Sequence, residues 1–189
     1  MQHCIYTIGH STLSLETFMG LLKEQSIDML VDVRAFPGSR RYPHFNKENL
    51  QVVLPQADIR YEHILALGGR RKKAKQDAPS PNSYWDNVSF RNYADYALGD
   101  EFHVGLHQLE QIATVATCAI MCSEAVWWRC HRRIITDYLL ADGIAVFHIM
   151  GKHKAEPATM TEAARVAGEG RLIYDKLPGG QTDLFKGAE

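Results

Sequence analysis

The sequence lacks any apolar stretch long enough to cross a membrane, which takes about 20 consecutive apolar residues as a helix. Its N-terminus, MQHCIYTIGH, has no basic region followed by an apolar one, and therefore no signal-peptide pattern. We expect a cytoplasmic protein with no membrane partner. The 189 residues, of which 46% are apolar, suit one soluble domain with a sizeable core.

Cysteine is scarce, and several cofactor motifs are missing. The four cysteines, Cys4, Cys118, Cys122 and Cys130, form no disulfide-rich pattern, as expected for reduced thiols in the cytosol. No CxxC pair is present, although Cys122, Cys130 and His131 are all usual zinc ligands. The phosphate-binding motifs GxGxxG and GxxxxGK(S/T) are absent too. We predict no cofactor and leave a metal ion open.

Positive charge is local. The net charge is −1, so bulk charge says nothing about partners. The segment GGRRKKAKQ, residues 68–76, contains no acid and holds Arg70, Arg71, Lys72, Lys73 and Lys75. Arg40 and Arg41 form a second basic pair. A segment like residues 68–76 is usually a solvated loop, but it also suits contacts with phosphates.

Segments with strand character alternate with helical ones. Strands are predicted at CIYTIGH, IDMLVDVR, IRYEHI, CAIMCS and IAVFHIM, and a small one at RLIYD. Helices are predicted over residues 14–25, with Ser14 as the N-cap, and over 46–57, 89–99, 102–116 and 129–143, with a short helix after Gly151. This order predicts a single three-layer α/β/α domain over residues 1–175 with a mostly parallel sheet of about five strands. Residues 176–189 have the composition of a flexible tail.

Polar side chains follow three of the predicted strands. Strand one ends in His10 and Ser11, strand two ends in Arg34, and strand four ends in Cys122 and Glu124. Ligands of open parallel sheets bind beyond the carboxyl ends of the strands. We therefore expect these residues to converge on one edge of the sheet.

The helix after strand four supplies further candidates. A step of about 100° per residue puts His131 near the middle of its buried stripe and Arg132 at the border. Arg129 and Arg133 fall on the other side. A helix N-terminus with nearby arginines favours an anion such as phosphate.

A structural role is the favoured explanation of each candidate when it is taken alone. Cys122 suits a small core residue, and Cys130 is expected to be structural. Glu124 and Arg132 suit an ion pair between strand and helix. His131 suits a satisfied core histidine, and Asp32 is expected to accept backbone hydrogen bonds. The functional reading rests on the convergence of these residues with His10 and Arg34. A cysteine-phosphatase loop fits badly, because Arg129 lies one position too far from Cys122.

Five separated motifs occur in a fixed order: TIGHS, LVDVRAFPGSRRYPHFN, LGGRR, MCSE and CHR. Together they resemble the bacterial and archaeal family called domain of unknown function 488, over about residues 5–149. The family motifs map onto His10, Ser11, Asp32, Arg34, Pro37, Ser39, Arg40, Phe45, Gly68, Gly69, Arg70, Cys122, Glu124, Cys130, His131 and Arg132. The segment AVWW departs from the usual pattern, in which a proline often precedes CHR. The resemblance implies an α/β fold and supplies no reaction; some members carry a label of DNA repair.

The tail contains a second recognisable segment. QTDLF, residues 181–185, resembles the pentapeptide by which bacterial proteins bind the sliding clamp. The matching positions are Gln181, Asp183, Leu184 and Phe185. A flexible peptide can insert the last two side chains into an apolar pocket while the glutamine makes hydrogen bonds. On this basis we expect the bacterial sliding clamp as a partner.

These patterns lead to three hypotheses for function. The first is an enzyme with hydrolase-type chemistry on DNA, RNA or a nucleotide. In it, Glu124 and His131 serve as general acid and base, and His10 assists them. Cys122 is a nucleophile only if its pKa is lowered. The residues that bind phosphates are Ser11, Arg34, Arg40, Arg70, Arg71 and Arg132. The second is a sulfur-transfer or thiol-redox enzyme using Cys122 or Cys130. The third is a non-catalytic DNA-binding adaptor recruited through the tail.

Overall fold

A six-stranded sheet forms the centre of the molecule. The structure, a computed structural model, describes residues 4–72 and 79–176. The sheet has the order β3-β2-β4-β1-β5-β6 and consists of β1 (Cys4–Gly9), β2 (Met29–Asp32), β3 (Arg60–His63), β4 (Cys118–Cys122), β5 (Ala145–Gly151) and β6 (Lys154–Pro157). Strands β1 to β5 are parallel, and β6 pairs antiparallel with β5. The predicted α/β fold with a mostly parallel sheet is confirmed, with six strands instead of about five.

Helices cover both faces of the sheet. They are α1 (Leu15–Glu24), α2 (Lys47–Val53), α3 (Val88–Ala97), α4 (Asp100–Val115) and α5 (Arg132–Ala141). Phe18 of α1 and Leu50 of α2 belong to the core on one face, and Phe102 of α4 and Ile135 of α5 belong to the core on the other. Strand β4 is buried along its whole length and contributes alternate residues to the two cores. The predicted three-layer arrangement is therefore observed. In the residues described, no helix combines the length and apolarity needed to span a membrane.

Local sequence explains where the first helix begins. The hydroxyl of Ser14 accepts a hydrogen bond from the backbone N–H of Thr17 at 3.1 Å, and Glu16 lies in the first turn. Both groups compensate the unpaired donors and the positive end of the helix dipole. The predicted N-cap is confirmed.

The chain after β5 was predicted wrongly. Instead of a short helix, the residues after Gly151 form β6 and then a small ribbon of β7 (Ala164–Val166) and β8 (Leu172–Tyr174). His153 takes up a left-handed backbone conformation, with φ of 57°, in the tight turn that joins β5 to β6. The segment KAEP has little intrinsic strand preference, but the open edge of β5 provides it with hydrogen-bond partners. The small strand predicted at RLIYD is present as β8.

The connections out of β1 and β4 run in opposite directions. β1 leads through α1 to β2, and β4 leads through α5 to β5 on the other side of β1. Because β1 and β4 are neighbours, a crevice is left between the two connections. Such a switch point is where open α/β sheets bind ligands.

Gly9 allows the chain after β4 to pack directly on the end of β1. A Cβ atom at this position would lie 1.9 Å from the backbone oxygen of Glu124 and 2.8 Å from that of Ala125. The parallel pairing also continues past the strand ends, since the N–H of His10 donates to the Cys122 carbonyl at 3.0 Å. The ends of β1 and β4 are therefore held in contact by backbone atoms, which leave no room for a side chain.

Gly9→Ala is expected to destabilise the fold by about 2–3 kcal/mol, because backbone atoms, and not a flexible side chain, must move to admit the methyl group. Gly20→Ala is the matched control. Gly20 is exposed inside α1 with open space around its Cα, so an added methyl group should raise stability by about 0.5–1 kcal/mol. Urea unfolding of both variants measures the two effects. A Gly9→Ala protein as stable as the wild type would contradict this account of the strand ends.

Candidate functional site

A cavity of about 640 Å³ lies at the carboxyl edge of the sheet, where β1, β2 and β4 end. We call it the edge cavity. Its walls include eight of the residues predicted to be catalytic, anion-binding or supporting, namely His10, Ser11, Arg34, Arg70, Cys122, Glu124, Cys130 and His131. Segments far apart in the chain thus meet at the predicted edge.

Arg34 is bound into the floor of the edge cavity by Asp32. The Asp32 carboxylate accepts hydrogen bonds from the Arg34 side chain, including Nε at 2.9 Å, and from its backbone N–H at 3.0 Å. Tyr61 also donates to this carboxylate, at 2.7 Å. A further guanidinium N–H donates to the Phe45 carbonyl at 2.8 Å. Arg34 therefore has little remaining capacity to bind a phosphate, and the pair acts mainly as a support.

His10 is a neutral and engaged side chain. Its Nδ1 lies 3.2 Å from the Ser11 carbonyl oxygen, which can only accept, so Nδ1 carries the proton. Its Nε2 accepts from Arg34 at 3.3 Å, and the ring stacks on Phe45 with centroids 4.2 Å apart. Burial, followed by the positive charge of Arg34, lowers the pKa of His10 to about 4. This geometry suits a support for Arg34 better than the proton-transfer role predicted for His10.

His131 directs one ring nitrogen at two cysteines. Its Nε2 lies 2.8 Å from the Val33 carbonyl oxygen, which fixes the proton on Nε2. The unprotonated Nδ1 faces the Sγ atoms of Cys130 at 3.6 Å and Cys122 at 3.9 Å. Gly69 packs against the ring, and a Cβ there would lie 2.3 Å from Nδ1. The motif LGGRR therefore requires its second glycine because the imidazole occupies that space.

The pKa values of the two cysteines are shifted in opposite directions. Burial opposes ionisation of Cys130, but the hydrogen bond with Cys122 and the Arg132 guanidinium outweigh it and lower the pKa of Cys130 to about 6. The pKa of Cys122 rises to about 12, because it donates to Cys130 and is itself buried. Both shifts favour the thiolate form at Cys130 and the thiol form at Cys122.

Arg132 is buried, with 1% of its surface exposed. The prediction that it lies at the border of the buried stripe of α5 is therefore wrong. Its Nε donates to the Cys130 sulfur at 3.3 Å and its Nη2 to the Glu124 carbonyl oxygen at 2.6 Å. Helical side chains point back towards the N-terminus, and α5 begins only at Arg132, so the guanidinium reaches beneath residues 123–131. The anion-binding role predicted for Arg132 has no support in this position.

Arg71 and Arg40 lie outside the edge cavity. The Arg71 guanidinium donates to the carbonyl oxygens of Leu65, Ala66 and Gly68, and lies 3.7 Å from the centroid of the Tyr96 ring. It holds the turn after β3 together, contrary to the predicted anion-binding role. Arg40 is exposed and is not among the residues that line the cavity. Lys73 and Lys75, together with residues 177–189, lie outside the described residues.

Three charged side chains face the edge cavity without a partner in residues 4–72 and 79–176. Arg70, Glu124 and Arg129 are exposed, and none of them has a side-chain hydrogen bond or an ion pair there. The prediction that Arg129 faces away from the site is wrong, because it assumes a helix that begins at residue 129. It lies instead in a short 3-10 turn, Trp127–Arg129, before α5 begins. Phe36, with 70% of its surface exposed, stands at the same wall as Arg70, 5.8 Å from the guanidinium.

Residues 123–131 are anchored from below by an aromatic stack. The Trp127 ring lies on His148 of β5 with centroids 4.4 Å apart and planes 10° apart. His148 Nδ1 is 2.8 Å from the Thr7 hydroxyl. Burial, followed by the charge of Arg132, lowers the pKa of His148 to about 4. The loop therefore rests on an uncharged imidazole.

Comparison with known proteins identifies a family. The chain matches the family model described as "Domain of unknown function DUF488" over residues 14–139, which is more than half of its 189 residues. The chain belongs to the DUF488 family. The matched segment of this DUF488 protein includes the support pair of Asp32 and Arg34 and the whole of residues 122–132. No curated protein and no solved structure matches the chain.

His148→Gln should make the free energy of unfolding less dependent on pH in the acidic range. As pH falls below the unfolded pKa of about 6.5, the unfolded chain gains a proton before the folded one does, and folding stability is lost until about pH 4. This group alone should cost the wild type about 3 kcal/mol over that window. The variant should therefore lose about 3 kcal/mol less than the wild type between about pH 7 and pH 4. Urea titrations at both pH values measure this difference, and equal losses in the two proteins would refute it.

Proposed function

We propose that this chain is an enzyme acting on a nucleotide or a nucleic-acid strand bound in the edge cavity. One observation carries the proposal. Two arginines without partners among the described residues, Arg70 and Arg129, line the same cavity as a free carboxylate, Glu124, and an exposed phenylalanine, Phe36. The guanidinium of Arg34 and the imidazoles of His10 and His131, which also line the cavity, are occupied by internal contacts.

The free residues match the two chemical features of a nucleotide. Guanidinium groups bind phosphate oxygens through charge-assisted hydrogen bonds, and an exposed arginine loses little on leaving water for a phosphate. An exposed aromatic ring stacks on a nucleobase, and this contact tolerates any base. Phe36 stands beside Arg70, so one wall of the cavity offers both contacts. Tyr42 and Phe90 supply further aromatic surface.

Glu124 is the group best placed for proton transfer. Its carboxylate is exposed at the end of β4, and its backbone is held by Gly9 and Arg132. A general acid or base must reach the substrate while its main chain stays fixed. His10 and His131 have hydrogen bonds at their ring nitrogens that a proton transfer would break. We therefore assign hydrolase-type proton transfer to Glu124, and supporting roles to the two histidines.

Arg70→Ala and Arg129→Ala should each weaken binding of a single-stranded oligonucleotide about 10- to 150-fold, since one charge-assisted hydrogen bond contributes about 1.5–3 kcal/mol. Each variant should also flatten the dependence of log affinity on log salt, because fewer counterions are released. Fluorescence anisotropy at several salt concentrations measures both effects. Glu124→Gln should keep the binding and lose turnover.

Arg60→Ala is the matched control for these variants. Arg60 begins β3 at the opposite edge of the sheet and is paired with the exposed carboxylate of Asp28. Its removal should leave oligonucleotide affinity and the salt dependence unchanged. Equal losses in all three arginine variants would show that binding is diffuse and that the edge cavity is not the binding site.

The two thiols support a second candidate, a sulfur-transfer or redox enzyme. Cys122 and Cys130 both line the edge cavity, and Arg132 donates to the Cys130 sulfur. A guanidinium beside a sulfur favours the thiolate, which is the reactive form. This candidate requires at least one free sulfur in the working protein.

We further propose that QTDLF brings the protein to the sliding clamp, and so to DNA under replication or repair. These residues lie outside the part of the chain that the structure describes, and the proposal rests on the sequence alone. Replacing both Leu184 and Phe185 with alanine should abolish binding to the purified clamp, because those side chains would fill its apolar pocket. The wild type should bind in the micromolar range, or about −8 kcal/mol.

Lys186→Ala serves as the control for the clamp variant, because it lies next to the pentapeptide but outside the pattern. It should bind the clamp as the wild type does. Calorimetry with the full chain gives both affinities. Clamp binding that survives the double substitution would show that recruitment does not use this segment.

A further inference from the structure

We propose that Cys122, Cys130 and His131 bind a zinc ion whose fourth position opens into the edge cavity. Their two sulfurs and one ring nitrogen lie within 4.8 Å of one another. Zinc bonds of about 2.3 Å to sulfur and about 2.0–2.1 Å to nitrogen, at tetrahedral angles, place a sulfur and a nitrogen about 3.6 Å apart. The distances from His131 Nδ1 are 3.6 Å to Cys130 and 3.9 Å to Cys122. Both nitrogen–sulfur distances are therefore close to those of a zinc site, and the two sulfurs lie within 4.8 Å of each other.

The imidazole is oriented as a zinc ligand would be. Metal-binding histidines usually donate their other ring N–H to a carbonyl or carboxylate, which fixes the tautomer and the ring plane. His131 makes this bond to the Val33 carbonyl at 2.8 Å, and its remaining lone pair points at the two sulfurs. Gly69 packs against the ring beside Nδ1, where a side chain would displace the imidazole. The His131 ring therefore does not have to rotate for Nδ1 to bind a metal ion.

Arg132 supplies an independent reason for negative sulfur at this place. Its guanidinium is buried, and the salt bridges found among the described residues do not include it. A buried charge without a counter-charge costs several kcal/mol. The Cys130 sulfur, 3.3 Å from Nε, is positioned to be that counter-charge as a thiolate. Thiolates are the form in which cysteine binds zinc, and an N–H donor to the ligand sulfur is a usual companion.

The site has three protein ligands and an open side. All three residues line the edge cavity, and the cluster contains no fourth cysteine, histidine or carboxylate among the residues described. Structural zinc sites use four protein ligands, whereas catalytic ones use three and leave a position for water or substrate. A zinc-bound water has a pKa of about 7, and the metal polarises phosphoryl and carbonyl oxygens. The inference thus deepens the proposed function, on which it rests for the use of the metal but not for its binding.

The experiment uses the full chain, reduced and stripped of metal with a chelator, and titrated with Co²⁺ as a spectroscopic probe for zinc. We expect about one ion per chain, with the intense visible bands of tetrahedral cobalt and a thiolate-to-cobalt band in the near ultraviolet. Cys122→Ser and Cys130→Ser should each weaken metal binding at least 100-fold and reduce the thiolate band. Cys4→Ser is the matched control, since Cys4 lies at the other end of β1, and should leave both unchanged. Displacement of Co²⁺ by Zn²⁺ then gives the zinc affinity.

Gly69→Ala provides a variant that keeps every ligand. Its methyl group would displace the His131 ring, so metal affinity should fall while both thiols remain titratable. Circular dichroism identifies any variant that fails to fold, and the wild-type titration decides the matter by itself. Failure of the wild type to bind Co²⁺ or Zn²⁺ more tightly than micromolar would overturn the proposal. So would a Cys122–Cys130 disulfide that forms equally with and without Zn²⁺, a result that would favour the thiol candidate.

Metal binding and nucleotide binding can fail separately. A zinc complex that binds no oligonucleotide or nucleotide would leave the metal site standing and overturn the proposed function. Oligonucleotide binding that depends on Arg70 and Arg129 in a protein without metal affinity would do the reverse.

Discussion

The buried guanidinium of Arg132 is the contact on which the rest of the site depends. It joins the end of β4, through the Glu124 carbonyl, to the start of α5, through the Cys130 sulfur. A guanidinium buried to this extent is tolerated only when its donors are satisfied, so the loop between these two points must keep its shape. The outward direction of the Glu124 carboxylate and the approach of Cys130 to Cys122 both follow from that shape. Arg132 thus positions Glu124 and Cys130 without itself facing the edge cavity.

The polar residues in and beneath the edge cavity divide into a buried supporting set and an exposed set. Asp32, Arg34, His10 and Arg132 satisfy one another or the backbone, and their burial fixes the geometry. Arg70, Glu124 and Arg129 remain exposed at the cavity wall. Charged residues in a motif therefore do not all contact a ligand, because a site needs fixed supports as much as reactive groups.

The convergence of separate segments on one edge of the sheet was predictable from the sequence, but the positions of several side chains were not. Strand ends are readable because a buried strand is a short apolar segment and the polar residues after it are conspicuous, as at Cys122 and Glu124. Arg129 was misplaced because the start of a helix is uncertain by a few residues, and three residues rotate a side chain to another face. Arg132 was misjudged because burial of a guanidinium depends on a distant carbonyl.

Strand β6 and the sheet order could not be predicted, because they depend on which strand edges are open, and no local sequence pattern contains that information. The approach of Cys122 to Cys130 across eight positions arises only from the path of the intervening loop.

The sheet order has a consequence for how the chain is made. Strand β4 lies between β2 and β1 although it is synthesised after β1, β2 and β3. Until residues 118–122 leave the ribosome, β1 and β2 have no neighbour on their facing edges, and each offers a row of unpaired donors and acceptors. Long-range parallel pairing of this kind is slow, so the nascent chain stays open to misassociation during roughly two thirds of its synthesis. Strand β4, the last of the two central strands to arrive, also carries Cys122, so the edge cavity can form only once the centre of the sheet has closed.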